Sequence, residues 1–311
     1  MPEWLYEAGI GEARAALVED DRIVEAAIEL DDGALRVGNV ARARLLDRHT
    51  GRVRLDGGAE AQLAGQPGIP EGGALTVEIT REALPEPGRA KLPRAVPTDA
   101  APTPGPDLLA RITATGTPVR HCRAHEPDAL EAAGWSELLE EATDGEIAFP
   151  NGALRMTPTP AMTLFDVDGA PPLEPLAVRA AQAVAHAVRR HGIGGSIGVD
   201  FPTLAGKAAR QAVAAALDRH LPPPFERTAV NGFGFLQIVR PRPRASLPEL
   251  VRADPVGAAA RALLRRLERE PRGAPRLHCP PAAVLARLHA RPDWLAELAR
   301  RTGVLHRFEV Q

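Results

Sequence analysis

The chain has 311 residues, of which 44% are hydrophobic and 25% charged, with a formal net charge of −2. That balance supports about two or three packed units and excludes wholesale disorder. It also excludes a global electrostatic pull on nucleic acid, which such a chain could bind only through a local basic surface. Of the 38 basic residues all but Lys91 and Lys207 are arginine. Beside so much Ala, Pro and Gly, this looks like the bias of a GC-rich coding sequence and is weak evidence for phosphate binding. No run of about 18 uncharged apolar residues occurs, and acids interrupt the start before a signal-type block forms. The reading is a cytoplasmic protein with no membrane partner. Cys122 and Cys279 lack a CxxC neighbour, so neither a disulfide framework nor a zinc knuckle is suggested and both thiols are expected to be reduced and partly buried.

Residues 3 to 30 alternate as two or three strands, with "EDD" as a turn before "RIVEAAIEL". Short alternating runs from 33 to 96, among them "GRVRLD" and "ALTVEITREAL", are separated by Gly, Asp and Pro turns, the pattern of a small five-stranded barrel. The Pro-rich stretch 97–106 marks a linker. "DALEAAGWSELLEEA" reads as helical, and "GEIAFPNGALRMTPTPAMTLFDVDG" as strands turned by "PNG". Over residues 174–191, Leu176, Ala180, Val184 and Val188 share one stripe of an amphipathic helix that stops at "GIGG". "SIGVDF" is a strand, "AGKAARQAVAAALDRHL" a helix, and "NGFGFLQIVR" a further strand or pair, with Phe233 and Phe235 read as strand core in preference to stacking platforms. With aromatics at 4%, a base-stacking surface of the usual richness is not expected. The tail alternates again: helix "PVGAAARALLRRLERE", strand "APRLHC", helices "AAVLARLH" and "DWLAELARRTG", and strand "VLHRFEV".

The run "AMTLFDVD", read as a strand, places Met162, Leu164, Asp166 and Asp168 on one face. Asp200 ends the next strand after a crossover helix, and a strand–helix–strand unit commonly sets two such ends side by side. Acids brought together in this way can share a hard cation, since magnesium needs only one or two protein carboxylates besides water and phosphate. Asp before Gly at a strand end is also ordinary turn chemistry, and the pattern alone leaves that reading open.

The block "FPNGALRMTPTPAMTLFDVDG…IGGSIGVDF…ERTAVNGFGFLQIVRPR" resembles the catalytic core of the ribonuclease E/G family. "ARAALVEDDRIVEAAIE" is similar to that family's first strands, "VGNVARARLLDRHTGRVRLDGG" to its inserted OB-fold domain and "AKLPRAV" to that domain's basic exit. The resemblance implies an α/β protein: an RNase H-like mixed-sheet catalytic core, an OB-fold β-barrel inserted in it, and a small C-terminal α/β domain. On that division residues 1–32 are the first strands of the core, 33–96 the RNA-binding barrel, 97–106 a linker, 107–245 the catalytic core and 246–311 the small domain. Asp166 and Asp200 match the family's two magnesium-binding aspartates, manganese being able to substitute, and Asp168 takes the place of its neighbouring asparagine as a further catalytic residue. Lys91, Arg94 and Arg227 match basic positions that would contact RNA. The implied activity is metal-dependent cleavage of single-stranded RNA to leave 5′-phosphate ends.

Departures accompany the likeness. The family's zinc-binding Cys-Pro-x-Cys link is absent, with "RASLPELVRADP" in its place, so no zinc and no zinc-linked dimer are expected. The 5′-end sensing segment is reduced to "PTDAAPTPGPDLLARITATGTP", the basic loop after the first acids to "GAPPLEPL", and a family glutamate position is Pro160. These losses keep open the alternative of an RNA-binding or assembly module with reduced or lost catalysis.

Overall fold

The computed structural model of the chain describes residues 1–65, 68–86, 90–270 and 277–309. Strands β1 (Glu3–Ala8), β2 (Glu12–Glu19) and β3 (Arg22–Leu30) come first. Asp20 and Asp21 turn β2 into β3 with φ of 49° and 61°, the left-handed backbone that a two-residue hairpin loop requires. Then β4 (Val40–Asp47), β5 (Arg52–Leu55), β6 (Glu60–Leu63), β7 (Ala74–Arg81) and β8 (Arg94–Pro97) close a barrel in the order β4-β5-β6-β8-β7. The β6–β8 pair is parallel, and the other ladders are antiparallel. Alternate residues such as Leu45, Val53, Leu55, Val77, Ile79 and Ala95 fill its interior, as the period of two dictates.

The stretch after the barrel is fastened to it. Val40 and Thr103 exchange backbone hydrogen bonds of 2.8 and 3.0 Å, and a Cβ on Gly105 would stand 2.8 Å from the Val37 carbonyl. There follow α1 (Leu108–Thr113), β9 (Val119–His121), α2 (Ala129–Ala132) and α3 (Trp135–Asp144). The helix read over "DALEAAGWSELLEEA" is thus broken in two, because Gly134 takes a φ of 97° that ends one segment and starts the next.

Next in the chain are β10 (Glu146–Phe149), β11 (Gly152–Pro158), β12 (Thr163–Gly169), α4 (Leu173–Arg190), β13 (Gly195–Asp200), α5 (Lys207–His220), β14 (Glu226–Arg227) and β15 (Phe235–Arg240). They form a six-stranded mixed sheet in the order β10-β11-β12-β13-β15-β14, in which β12 and β13 run parallel. The β1–β3 hairpins do not join it. β1 pairs in parallel with β9, giving a separate four-stranded sheet β3-β2-β1-β9. Helix α4 lies between the two sheets, touching β3 on one side and β10, β11 and β12 on the other. Its expected stripe of Leu176, Ala180, Val184 and Val188 is fully buried, along with Ala177, Ala181, Ala185 and Ala187. The alanines let the helix backbone approach closely while costing little side-chain entropy.

The tail contributes α6 (Leu247–Ala253), α7 (Pro255–Arg269), β16 (Leu277–His278), α8 (Ala282–His289), α9 (Pro292–Thr302) and β17 (Arg307–Phe308). Of the strands read over 274–279 and 304–310, residues 274–276 and 310 lie outside the described residues. Helix α6 escaped the pattern reading, although its Ser246 and Glu249 form a capping box. Cys122 is buried, whereas Cys279 is exposed rather than partly buried. No helix among the described residues is long and apolar enough to cross a membrane.

This tail is clamped to the first sheet rather than standing apart. Ile10 enters the core made by Leu264, Leu288, Trp294 and Leu298. Beside it, the Arg261 Nε donates to Glu12 at 2.8 Å, Arg265 pairs with the same carboxylate, and Arg269 donates to Glu7 at 2.7 Å. Arg14 donates to Glu7 at 2.6 Å and to Asp128 at 2.8 Å. Burial by itself raises the Asp128 carboxyl, but Arg14, the Glu131 N–H and Arg269 outweigh it and hold the group below its usual range. The stability so conferred is present above the unfolded pKa of about 3.9 and is lost as pH falls through the lower folded value. Removing one partner of a buried pair strands the other charge, so Arg14→Ala should cost about 3–5 kcal/mol, read from urea denaturation at neutral pH.

Candidate functional site

Parallel pairing puts Asp166 of β12 directly opposite Asp200 of β13, after the rungs Thr163–Ile197, Leu164–Gly198 and Phe165–Val199. Neighbouring strands lie about 4.8 Å apart, and residues in register point to the same face. Phe165, Val167 and Val199 are buried on the side covered by α4 and α5, so alternation leaves the two acids no other direction than the opposite face. Both are exposed there. Strand ends that are distant in the sequence therefore deliver two hard oxygen donors to one patch of solvent.

Asp168 points to the same face but lies beyond the last β12–β13 rung. Its neighbour is Arg155 of β11, whose Nε is 3.4 Å from the Asp168 carboxylate, with the side chains 64% and 58% exposed. Such an exposed pair is worth little in stability, yet it sets a cation beside the acids. Among the described residues no group of three or more His, Cys, Asp and Glu is placed to hold a metal. The Asp166–Asp200 pair alone still fits magnesium, which takes one or two carboxylates and completes its shell with water and phosphate.

The floor next to the acids is apolar. Gly198 makes room for it, since a Cβ would fall 2.7 Å from Phe235 Cζ and 2.8 Å from Leu164 Cδ2 and those side chains would have to shift. Phe235, opposite Asp200, is half-buried on this open face rather than in the helix-covered core. Phe233 is not strand core either: β15 begins at Phe235, and Phe233, in the preceding turn, is 85% exposed. The signal lay in "NGFG", whose turn residues hold Phe233 outside the strand.

The basic positions are spread over other surfaces. Arg227 is in register with the buried Ile238 and so faces the helix side of the sheet. Its fork donates to Asp218 at 2.7 and 2.5 Å, and these hydrogen bonds hold the Asp218 carboxyl below its usual range. Lys91 pairs with Glu86 beside the barrel. Arg94 is exposed on β8, on the outer side from the buried Ala95. The structure thus brings Asp166 and Asp200 together with Asp168 next to them, and brings none of Lys91, Arg94 and Arg227 to them. The contribution of Arg155 had no sequence signal, since it rests on an antiparallel rung with Asp166. Arg227→Ala should lower stability by no more than about 1 kcal/mol in chemical denaturation.

No protein-family model matches this chain, and no curated protein matches it.

Proposed function

We propose that the protein is a magnesium-dependent endoribonuclease acting on single-stranded RNA, with Asp166 and Asp200 as its metal ligands. The observation that carries the reading is the parallel register that sets these two exposed carboxylates side by side. Two further features support it. The barrel's strand order, with its single parallel closure between β6 and β8, suits an OB-fold, a scaffold used to bind oligonucleotides. The mixed sheet with one parallel pair is compatible with the RNase H-like core that the ribonuclease E/G resemblance implies.

In this reading Asp166 and Asp200 would hold a magnesium ion, which would supply the charge that polarises the scissile phosphate and activates the attacking water. Arg155 offsets negative charge as the phosphate enters, and Asp168, held near Arg155, can accept a hydrogen bond from water and orient it. Hydrolysis would leave the phosphate on the 5′ end of the downstream fragment. The barrel would grip the RNA backbone through Lys91 and Arg94. Because supporting groups around the acids are few, turnover should be slow; loss of outer-shell partners costs about 10–100-fold in related metal sites.

A second reading, an RNA-binding or assembly module without catalysis, is favoured by one observation: among the described residues no group of three or more His, Cys, Asp and Glu is placed to hold a metal ion, Asp168 being drawn to Arg155 instead. The two differ in the cleavage of a labelled single-stranded RNA with and without magnesium. The nuclease predicts cutting that needs magnesium and vanishes in the Asp166→Asn, Asp200→Asn double variant, with retained fold by circular dichroism. Undiminished cutting by that variant would sink the assignment. If Lys91 and Arg94 contact phosphates, Lys91→Ala and Arg94→Ala should each reduce the slope of log affinity against log salt by about 1 in filter-binding titrations.

A further inference from the structure

A phenylalanine ring standing 85% in water, on a turn whose Gly234 is hydrogen-bonded to the residue after Asp200, calls for a physical reason. Single exposed apolar side chains are common and by themselves mean nothing. Here the backbone beneath the ring is fixed from several directions. The Asn231 side-chain oxygen accepts hydrogen bonds from the N–H groups of Phe233 at 2.9 Å and Phe235 at 3.0 Å. Asn231 N–H donates to the Phe235 carbonyl at 3.0 Å, and Gly234 N–H donates to the Asn231 carbonyl at 3.2 Å. Gly234 has a φ of 97°, and a Cβ there would lie 2.1 Å from the Phe201 carbonyl oxygen. The turn is therefore wedged against the chain immediately after Asp200.

That wedge also sets the ring's place relative to the site. Phe201, which follows Asp200, donates its N–H to Gly234, which follows Phe233, at 3.2 Å. On the sheet behind the turn, Phe235 covers Gly198 next to Leu164 and Met162, so an apolar floor continues from the turn across the rungs that precede the acids. A flat ring, held on a rigid turn that is hydrogen-bonded to the residue after Asp200, loses little freedom when something stacks on it.

We infer that Phe233 is a stacking platform for an unpaired nucleobase next to the phosphate that would meet a cation held by Asp166 and Asp200. The inference rests on the nuclease reading for the position of that phosphate. A base is the occupant that fits: every base offers a π-face, and stacking needs no hydrogen-bond code. A second copy of this chain fits worse. One aromatic side chain supplies about 150–250 Å², against about 1,200–2,000 Å² for a stable interface. A symmetric contact would also press Asp166, Asp168 and Asp200 towards their own equivalents, and like charges facing each other oppose association.

The test uses the full chain, with calcium in place of magnesium so that binding is read without cutting. Two probes are compared by fluorescence anisotropy: a labelled single-stranded oligoadenylate RNA, and an oligomer of the same length whose sugars carry no bases. Wild type should prefer the oligoadenylate. Phe233→Ala should weaken oligoadenylate binding about tenfold and leave affinity for the abasic oligomer unchanged, while Phe233→Trp retains the preference. Because the ring is exposed, the thermal midpoint of Phe233→Ala should equal that of wild type. Equal affinity of Phe233→Ala and wild type for oligoadenylate would overturn the inference, as would equal weakening for both probes or a shift in oligomeric state on sedimentation. The nuclease reading fails separately, in the magnesium cleavage assay; a Phe233-dependent base preference in a protein that does not cut would retain the platform and refute the catalysis.

Discussion

Parallel pairing of β12 with β13 holds Asp166 and Asp200 in register, and that pairing depends on a crossover helix narrow enough to lie between two sheets. The alanine-rich stripe of α4 provides the narrowness, with Leu176, Val184 and Val188 filling what the alanines leave open. A bulkier residue at Ala180 or Ala181 would force the helix off β11 and β12 and disturb the rung on which the acids sit, because packed interiors absorb added volume poorly. The site is thus a product of helix packing before it is a product of side-chain chemistry.

Two other devices secure the scaffold around that sheet. The barrel is self-contained, its interior filled from five strands, and the following chain is tied to it through Val40 and Thr103. The junction between the first sheet and the tail uses buried charge instead: Glu7, Glu12 and Arg14 face Arg261, Arg265 and Arg269. Such a network specifies one arrangement of helix against hairpin, since any shift would leave a desolvated charge without its partner.

The open face of the sheet combines features that make sense together. Two carboxylates stand at one register, an arginine lies beside the third acid, and aromatic and aliphatic side chains continue the surface away from them. Helices α4 and α5 cover only the other side, and the acids remain accessible because of it. The face is sparse in polar support, the side-chain ion pair near the acids among the described residues being Arg155 with Asp168.

Sequence by itself determined many of the local elements, though not α1, β9 or α6, and the five-stranded barrel: strand alternation, the α4 stripe and the turn residues are short-range signals, and each depends on a period that neighbouring residues reveal. It also fixed that Asp166 shares a face with Met162 and Leu164, because a strand permits nothing else. Tertiary structure alone decided the rest. That β1 pairs with β9 instead of extending the larger sheet, that Arg227 turns to Asp218, that Arg155 meets Asp168, and that Phe233 stands in solvent all depend on partners far along the chain. The physical reason is that periodicity states which way a side chain points within its own element, whereas what it meets there is set by register and packing between elements.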